Sequence, residues 1–275
     1  MALVAKNAAR HISSTISSLL NQTFPPSRII VVNDGSSDNT HNLVTEFAAN
    51  SSQVKLVDLP ESAFDIRRVP SNLNIALQMG RSLPDEFLMI SGDDCTYPDS
   101  YVESILHRMT KRVVVASGTP SHVGLSVRER TPSGSGRIIR SSFMNRVGFR
   151  FPIRAGWEAW LLYRANQEGC QYRLYDDVVY EHVRPRGTSH RFIYWGAAMH
   201  TLGYHPLYAT GRIVRSMLKQ RPPSSALGLL VGYLDAKLGS SDPFMAPFEP
   251  EFRGYVRYTQ RQEISRTISR ALELF

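Results

Sequence analysis

Cysteine is nearly absent from this chain, with two residues, Cys95 and Cys170, among 275. They lack metal-ligand spacing and suggest no disulfide framework, so a reduced, cytoplasmic setting is expected. Long hydrophobic runs are missing as well. No apolar stretch approaches the ~18–20 residues of a membrane-spanning helix. Met1–Val4 is followed at once by Lys6, Arg10 and His11, which does not read as a signal peptide. No internal repeat is visible. No Gly-x-Gly-x-x-Gly follows the first apolar segment, which argues against a dinucleotide oxidoreductase. Acidic residues are in deficit: 24 Asp and Glu stand against 32 Lys and Arg, a net charge of +8. That balance favours an anionic partner, either nucleotide phosphates, an anionic lipid face or nucleic acid. Nucleic acid is disfavoured, because no recognised binding motif is present. The basic residues gather in the tail and loops and not along one aromatic-bearing helix.

The rest of the composition is that of a folded protein. Hydrophobic residues make up 42% and aromatics 10%, and the length suits one large domain or a domain with an appendage. The pattern alternates between strand and helix. Strands are expected over 1–5, 29–32, 54–57, 87–90, 112–116 and 171–175, and helices over 8–22, 41–49, 71–81, 99–109 and 157–168. Short links between them imply an α/β fold with a doubly wound, mostly parallel sheet. Residues 118–137, rich in Gly, Ser, Pro and Thr, read as a long excursion. Beyond 190 the character changes to apolar-basic helical segments over 192–220 and 226–238, separated by Pro222-Pro223. The organisation expected is a catalytic domain over 1–190, with halves 1–98 and 99–190, and a helical region over 191–275.

Residues 29–40, Ile-Ile-Val-Val-Asn-Asp-Gly-Ser-Ser-Asp-Asn-Thr, carry most of the functional information. Four β-branched residues make a buried strand, which stops at a polar turn holding Asp34. Ligands of open α/β sheets sit beyond the carboxyl ends of the strands, where Asp34 falls and where Gly35 permits close backbone approach. Asp93 and Asp94 end the 87–90 strand in the same topological place. Paired carboxylates repel and call for a cation, and a Mg²⁺ or Mn²⁺ bridging a diphosphate supplies one. Glu158 opens a helix in Gly156-Trp157-Glu158-Ala159-Trp160, where it could act as a general base or simply suit a helix N-terminus. Trp157 and Trp160 read equally as a sugar-stacking wall or as core. His182, taken alone, reads as a structural histidine. Arg184, Arg186 and Arg191 surround a Gly-Thr-Ser loop and suit a diphosphate clamp.

The 29–40 segment closely resembles the nucleotide-binding segment of family 2 glycosyltransferases with the GT-A fold, whose usual form is Val-Asp-Asp-Gly-Ser-Thr-Asp-Asn-Thr. The resemblance covers roughly residues 1–190. It implies that Asn7, Asp34, Arg68 and Asp93 bind the nucleotide. Asp34 would take the base, with Arg67 competing for the place of Arg68, and Asp93 would take the ribose. It also implies that Asp94 and His182 bind the metal and that Glu158 deprotonates the acceptor. The family's usual Asp-x-Asp-Asp appears here as Ser91-Gly92-Asp93-Asp94, and its usual second acid at the helix start is Ala159. The function expected is a metal-dependent, inverting transfer from a nucleoside diphosphate sugar, UDP-type, to a glycan or lipid-linked acceptor. A catalytically inactive nucleotide-sugar-binding relative is the alternative, motivated by those two departures. The tail, with Arg212, Arg215, Lys219 and Arg221 among Ile213, Val214, Met217 and Leu218, resembles the end of prokaryotic membrane-associated transferases that build cell-surface glycans. Peripheral attachment to an anionic inner membrane face is expected from it, against internal packing or a dimer seam.

Overall fold

The computed structural model describes residues 1–81, 86–121, 131–184, 189–219 and 224–272. In chain order these form β1 (Ala2–Ala5), α1 (Ile12–Leu20), β2 (Ile29–Asn33), α2 (Thr40–Asn50), β3 (Val54–Asp58), α3 (Arg68–Gly80), β4 (Phe87–Ser91) and β5 (Cys95–Thr96). Next come α4 (Tyr101–Leu106), β6 (Val113–Ser121), β7 (Arg137–Arg140), α5 (Ser141–Arg146), α6 (Trp157–Gln167) and β8 (Gln171–His182). The chain closes with α7 (Ser189–Thr201), α8 (Pro206–Lys219), α9 (Ser224–Lys237), a 3₁₀ turn (Pro243–Met245) and α10 (Pro250–Leu272).

The chain divides into two compact units, one of residues 1–152 with 164–185, the other of 153–163 with 186–275. The division is not a single cut near 190. Residues 153–163, which carry Glu158, group with the C-terminal helices, and α6 changes unit along its own length.

The first unit is the α/β sandwich that the alternating pattern implies. Its eight strands are ordered β3-β2-β1-β4-β7-β6-β8-β5. β1, β2, β3 and β4 run parallel, as do β6 and β8. β7 is inverted between β4 and β6. Every residue of β2 is buried, as a central parallel strand covered on both faces requires. Ile12, Ile16 and Leu19 of α1 pack under it with Leu3, Val31 and Val44. Asn74, on α3, holds Phe151 at both backbone groups, at 2.7 and 2.9 Å.

Several expected elements are longer or differently cut. β6 runs five residues past its expected end, to Ser121, and β8 continues to His182. The two pair with each other over most of this extension, which fixes segments that alternation alone leaves open. β7 lies at the far end of the expected excursion, and residues 122–130 of that excursion lie outside the described set. An Arg-Ile-Ile-Arg tetrapeptide hardly announces a central strand. It works because Arg137 is fully buried and donates to the carbonyls of Ser133 and Pro132 at 3.0 and 2.9 Å.

In the second unit the 192–220 segment is two helices, broken at Gly203, whose φ of 78° suits glycine. α7 and α9 approach closely because both present glycine. A Cβ on Gly232 would stand 1.9 Å from the Ile193 carbonyl oxygen, and one on Gly196 2.1 Å from that of Leu229. Trp160 packs on a cluster built from Phe192, Met199, Leu202, Phe248 and Phe252, and Trp157 on one with Ala197 and Phe244. Among the described residues no helix is long and apolar enough to cross a membrane.

Candidate active site

β1 lies between β2 and β4, so the strand order reverses at β1. Such a switch point leaves a crevice at the carboxyl ends of the strands. Lys6 and Asn7 follow β1 there, Asp34 follows β2, and Asp93-Asp94 follow β4. β8 runs in the same sense as β4, two antiparallel steps away through β7 and β6. It therefore delivers His182 and Arg184 to the same edge, with His182 paired to Cys95 of β5.

Asp34 is buried, and Arg68 donates to its Oδ1 from Nε at 2.9 Å and from a terminal nitrogen at 2.5 Å. Arg67 turns instead to Asp65, at 2.7 Å. Of the two, it is Arg68 that pairs with Asp34. Lys6 ties the two acidic motifs together. Its backbone N–H donates to Asp93 Oδ2 at 3.1 Å, and its ammonium donates to the carbonyls of Asp34, Gly35 and Ser62. Gly35 is required here, since its φ is 61° and a Cβ would stand 2.1 Å from the Pro60 carbonyl oxygen. Asn7 also has positive φ, at 47°, and its side-chain oxygen accepts from the Ser37 N–H at 2.9 Å. Asn7 thus closes the two loops against each other.

Asp93 and Asp94 are both buried. Arg184 spans them, bonding Asp93 Oδ1 with its guanidinium and standing 3.2 Å from Asp94 Oδ2. Its own backbone N–H also donates to Asp94 Oδ2, at 3.2 Å. Burial above all pushes the Asp93 carboxyl up from its ordinary pKa, against the pull of Arg184 and with the help of Asp94. Burial works against the Arg184 charge too, but Asp93 and Asp94 outweigh it and raise its pKa. The arginine therefore gains from the pair while Asp93 remains under-compensated. One guanidinium faces two carboxylates, and this location can take more positive charge.

The donor set fits a divalent cation. His182 Nε2 stands 3.4 Å from Asp94 Oδ1, close to the ~3 Å between neighbouring ligands on an octahedral cation with ~2.1 Å bonds. Cys95 joins this group, the three sets of ligand atoms lying within 4.8 Å of one another. Burial, then the Asp94 charge, pushes its thiol up to about 12. A neutral thiol 3.8 Å from Asp94 Oδ1 supports that carboxylate and is the wrong donor for Mg²⁺ or Mn²⁺. Cys95 and Lys6 are contributors that sequence reasoning missed, since each acts through position and not through a motif. Ser91 keeps its hydroxyl buried, 3.0 Å from the Tyr97 hydroxyl, and Tyr97 packs against Tyr101 and Tyr180 beneath the site. A carboxylate at 91 would have to be buried against that aromatic trio.

The other expected residues are placed differently. Glu158 is exposed in the first turn of α6, within the second unit. Arg186 lies outside the described residues, and for Arg191, on α7, only the backbone is described.

The fold of the first unit, a mostly parallel sheet whose acidic motifs meet at the carboxyl ends of its strands, is of the GT-A type. The sequence matches glycosyl transferase family 2 over residues 2–169, and the chain belongs to that family. A poly-β-1,6-N-acetyl-D-glucosamine synthase of Staphylococcus epidermidis is 42% identical over 57 residues, 21% of this chain and 14% of that protein. The chain spans 31% or less of the length of the curated relatives it matches. Among solved structures, S. aureus TarS 1–349 in complex with UDP-GlcNAc superposes with a TM-score of 0.56 at 15% identity, covering 93% of this chain and 77% of that one. The mannosyltransferase PcManGT from Pyrobaculum calidifontis, in complex with GDP-Man and Mn²⁺, gives 0.57 at 16% identity, covering 93% and 83%. At such identities the likeness is one of fold.

Proposed function

We propose that this glycosyltransferase moves a sugar from a nucleoside diphosphate sugar, of UDP type, to a hydroxyl of a glycan or lipid-linked acceptor, with inversion at the anomeric carbon. The observation that carries the reading is the convergence of Asp34–Arg68 and Asp93–Asp94–Arg184 at one sheet edge. Asp34 and Arg68 read the base, Asn7 shapes the loop beneath it, and Asp93 accepts from the ribose hydroxyls. Asp94 and His182 hold Mn²⁺ or Mg²⁺. That cation, when bound, neutralises charge developing on the leaving diphosphate. Arg184, with Arg186 and Arg191, would face the diphosphate.

Glu158 takes the proton of the acceptor hydroxyl. The acceptor oxygen forms the new bond to the anomeric carbon as the bond from that carbon to the diphosphate oxygen breaks, and nucleoside diphosphate leaves. Support comes from the UDP-GlcNAc and the GDP-Man with Mn²⁺ in the two structural relatives, and from the polysaccharide synthase among the sequence relatives. The test is a panel of nucleotide sugars with Mn²⁺ or Mg²⁺, read as release of nucleoside diphosphate. Release with UDP sugars above the metal-free background is expected. Binding of UDP without consumption of any sugar would instead favour the inactive relative, which Ser91 and Ala159 motivate.

The second unit supplies a membrane-facing element in this reading. α8 and α9 expose Leu207, Val214, Leu218, Leu227 and Val231, and Leu238 just after α9, with Arg212 and Arg215 exposed beside them. Apolar side chains flanked by cations suit the surface of an anionic bilayer. The protein is then peripheral at the inner face of the plasma membrane, where a lipid-linked acceptor is within reach.

A further inference from the structure

The C-terminal unit contains a cavity of about 390 Å³ whose lining includes Lys237, Arg253, Arg257 and Arg261, with His200 and His205, and no Asp or Glu. The three arginines recur every four residues along α10, which puts them on one helix face, where like charges repel. α8 begins at its edge, at Pro206, and adds the positive end of a helix dipole. Among the described residues the partners of Arg253 and Arg257 are backbone carbonyls. Arg253 donates to the His200 carbonyl at 3.3 Å, and Arg257 to that of Gly203 at 3.1 Å.

Arg253 Nε is buried and meets no hydrogen-bond partner among the described residues, and the same is true of His205 Nδ1. A buried donor left unpaired is costly until a ligand satisfies it. Nor can Arg253 swing away freely. Its stem lies over Gly203, where an added Cβ would come within 2.5 Å of Arg253 Cβ. Burial first, then Arg257, holds the Arg253 pKa below its ordinary value. Burial, then Arg253, Lys237 and Arg257, does the same to His200. His200 and Arg253 thus feel the neighbouring cations, and no carboxylate lines the cavity among the described residues.

We propose that this cavity binds a phosphate or diphosphate group, at a second anion site built wholly from the C-terminal helices. A carboxylate brings one negative charge against four cations, whereas a phosphate or diphosphate brings two or more. Its oxygens also match the forked geometry of guanidinium groups. The volume exceeds what a bare ion fills, so the phosphate is carried on a larger body. That body is either a soluble phosphorylated sugar or the head group of a lipid.

The experiment is calorimetry with pyrophosphate at low ionic strength in excess EDTA, which keeps metal-dependent binding at the aspartates out of the signal. Wild type is expected to bind. Arg257→Met with Arg261→Met, both exposed on α10, is expected to weaken binding ~10-fold or more, since each change removes a charged hydrogen-bond donor. Circular dichroism melting checks that the double variant is folded. Lys237→Gln, a single exposed change, carries the same test if it is not. Absence of pyrophosphate binding in wild type, or equal binding by the folded variants, overturns the proposal. Two further arms assign the source. Vesicles containing phosphatidic acid that bind wild type, release it to pyrophosphate and fail to bind the variant point to a lipid head group. A sugar 1-phosphate that binds wild type while such vesicles do not points to a soluble ligand.

Discussion

At the scale of single residues, the site separates groups that set charge from groups that set position. Asp94 is close at once to His182, Cys95 and Arg184, so its charge is the one a cation would meet first. Asp94→Asn is expected to abolish metal-dependent UDP binding while leaving the fold intact, because a neutral amide cannot offset a dication. Calorimetry with UDP and Mn²⁺ reads this, and unchanged affinity would remove Asp94 from the metal site. Glu158→Gln keeps the side-chain size but cannot take a proton at neutral pH. It is expected to slow transfer ~10²–10⁴-fold, the usual worth of general-base assistance, with donor affinity unchanged. Transfer at the wild-type rate, measured where chemistry limits turnover, would move the base elsewhere. Asp177, one carboxylate of that region, is exposed and paired with Arg108 at 2.7 Å.

Elements contribute what no single residue can. β8 is the element that completes the site, since its extension to His182 brings the imidazole beside Asp94 and leaves Arg184 two residues further on. α8 and α9 contribute a surface. Exposed apolar side chains on and just after them, Leu218 at 83% and Leu238 at 85% among them, leave one side of the helices uncovered among the described residues. Pelleting with vesicles of acidic lipid, and not with neutral ones, is the expected outcome, weakened by salt. Each basic residue adds ~1 kcal/mol near such a surface. Arg212→Gln with Arg215→Gln is therefore expected to lower vesicle binding by roughly 10-fold or more, with nucleotide affinity unchanged. Equal pelleting by wild type and variant would count against an electrostatic contribution from α8.

For the molecule as a whole, charge is unevenly shared between the two units. In the first, every central carboxylate of the site has a basic partner. In the second, His200 of α7 faces Lys237 of α9 and Arg253 and Arg257 of α10, and its pKa lies below 6.5 because of burial and then those charges. A histidine favoured neutral by folding binds more protons in the unfolded chain. Its contribution to stability is therefore complete above about pH 6.5 and is lost as the pH falls below that value. The melting temperature is expected to fall between about pH 7.5 and 5, with a smaller fall in His200→Gln. Parallel curves for the two proteins would show that His200 does not couple to folding. Phosphate, if it fills the cavity, should raise the melting temperature and reduce the pH dependence.

Residue order by itself determined the strand-turn-helix units of the first unit. β-branched runs such as Ile29–Val32 can be buried on both faces, and the turns after them hold Asp34, Asp93 and Asp94 at strand ends whatever the rest of the chain does. The family was legible for the same reason, since its marks are local. Tertiary structure alone decided the pairing of Arg68, and not Arg67, with Asp34, the bridging position of Lys6, and the burial of Cys95 beside Asp94. These depend on contacts between residues distant in sequence, which carry no periodic signal. β7 shows the limit most clearly. Its two isoleucines are too few to mark a strand, and only pairing to β4 and β6, with the burial of Arg137, makes it one. The basic cavity is a similar case. Arg253, Arg257 and Arg261 read in sequence as an ordinary solvated helix face, and only the fold brings the ends of α7 and α9 and the start of α8 beside them to line one cavity.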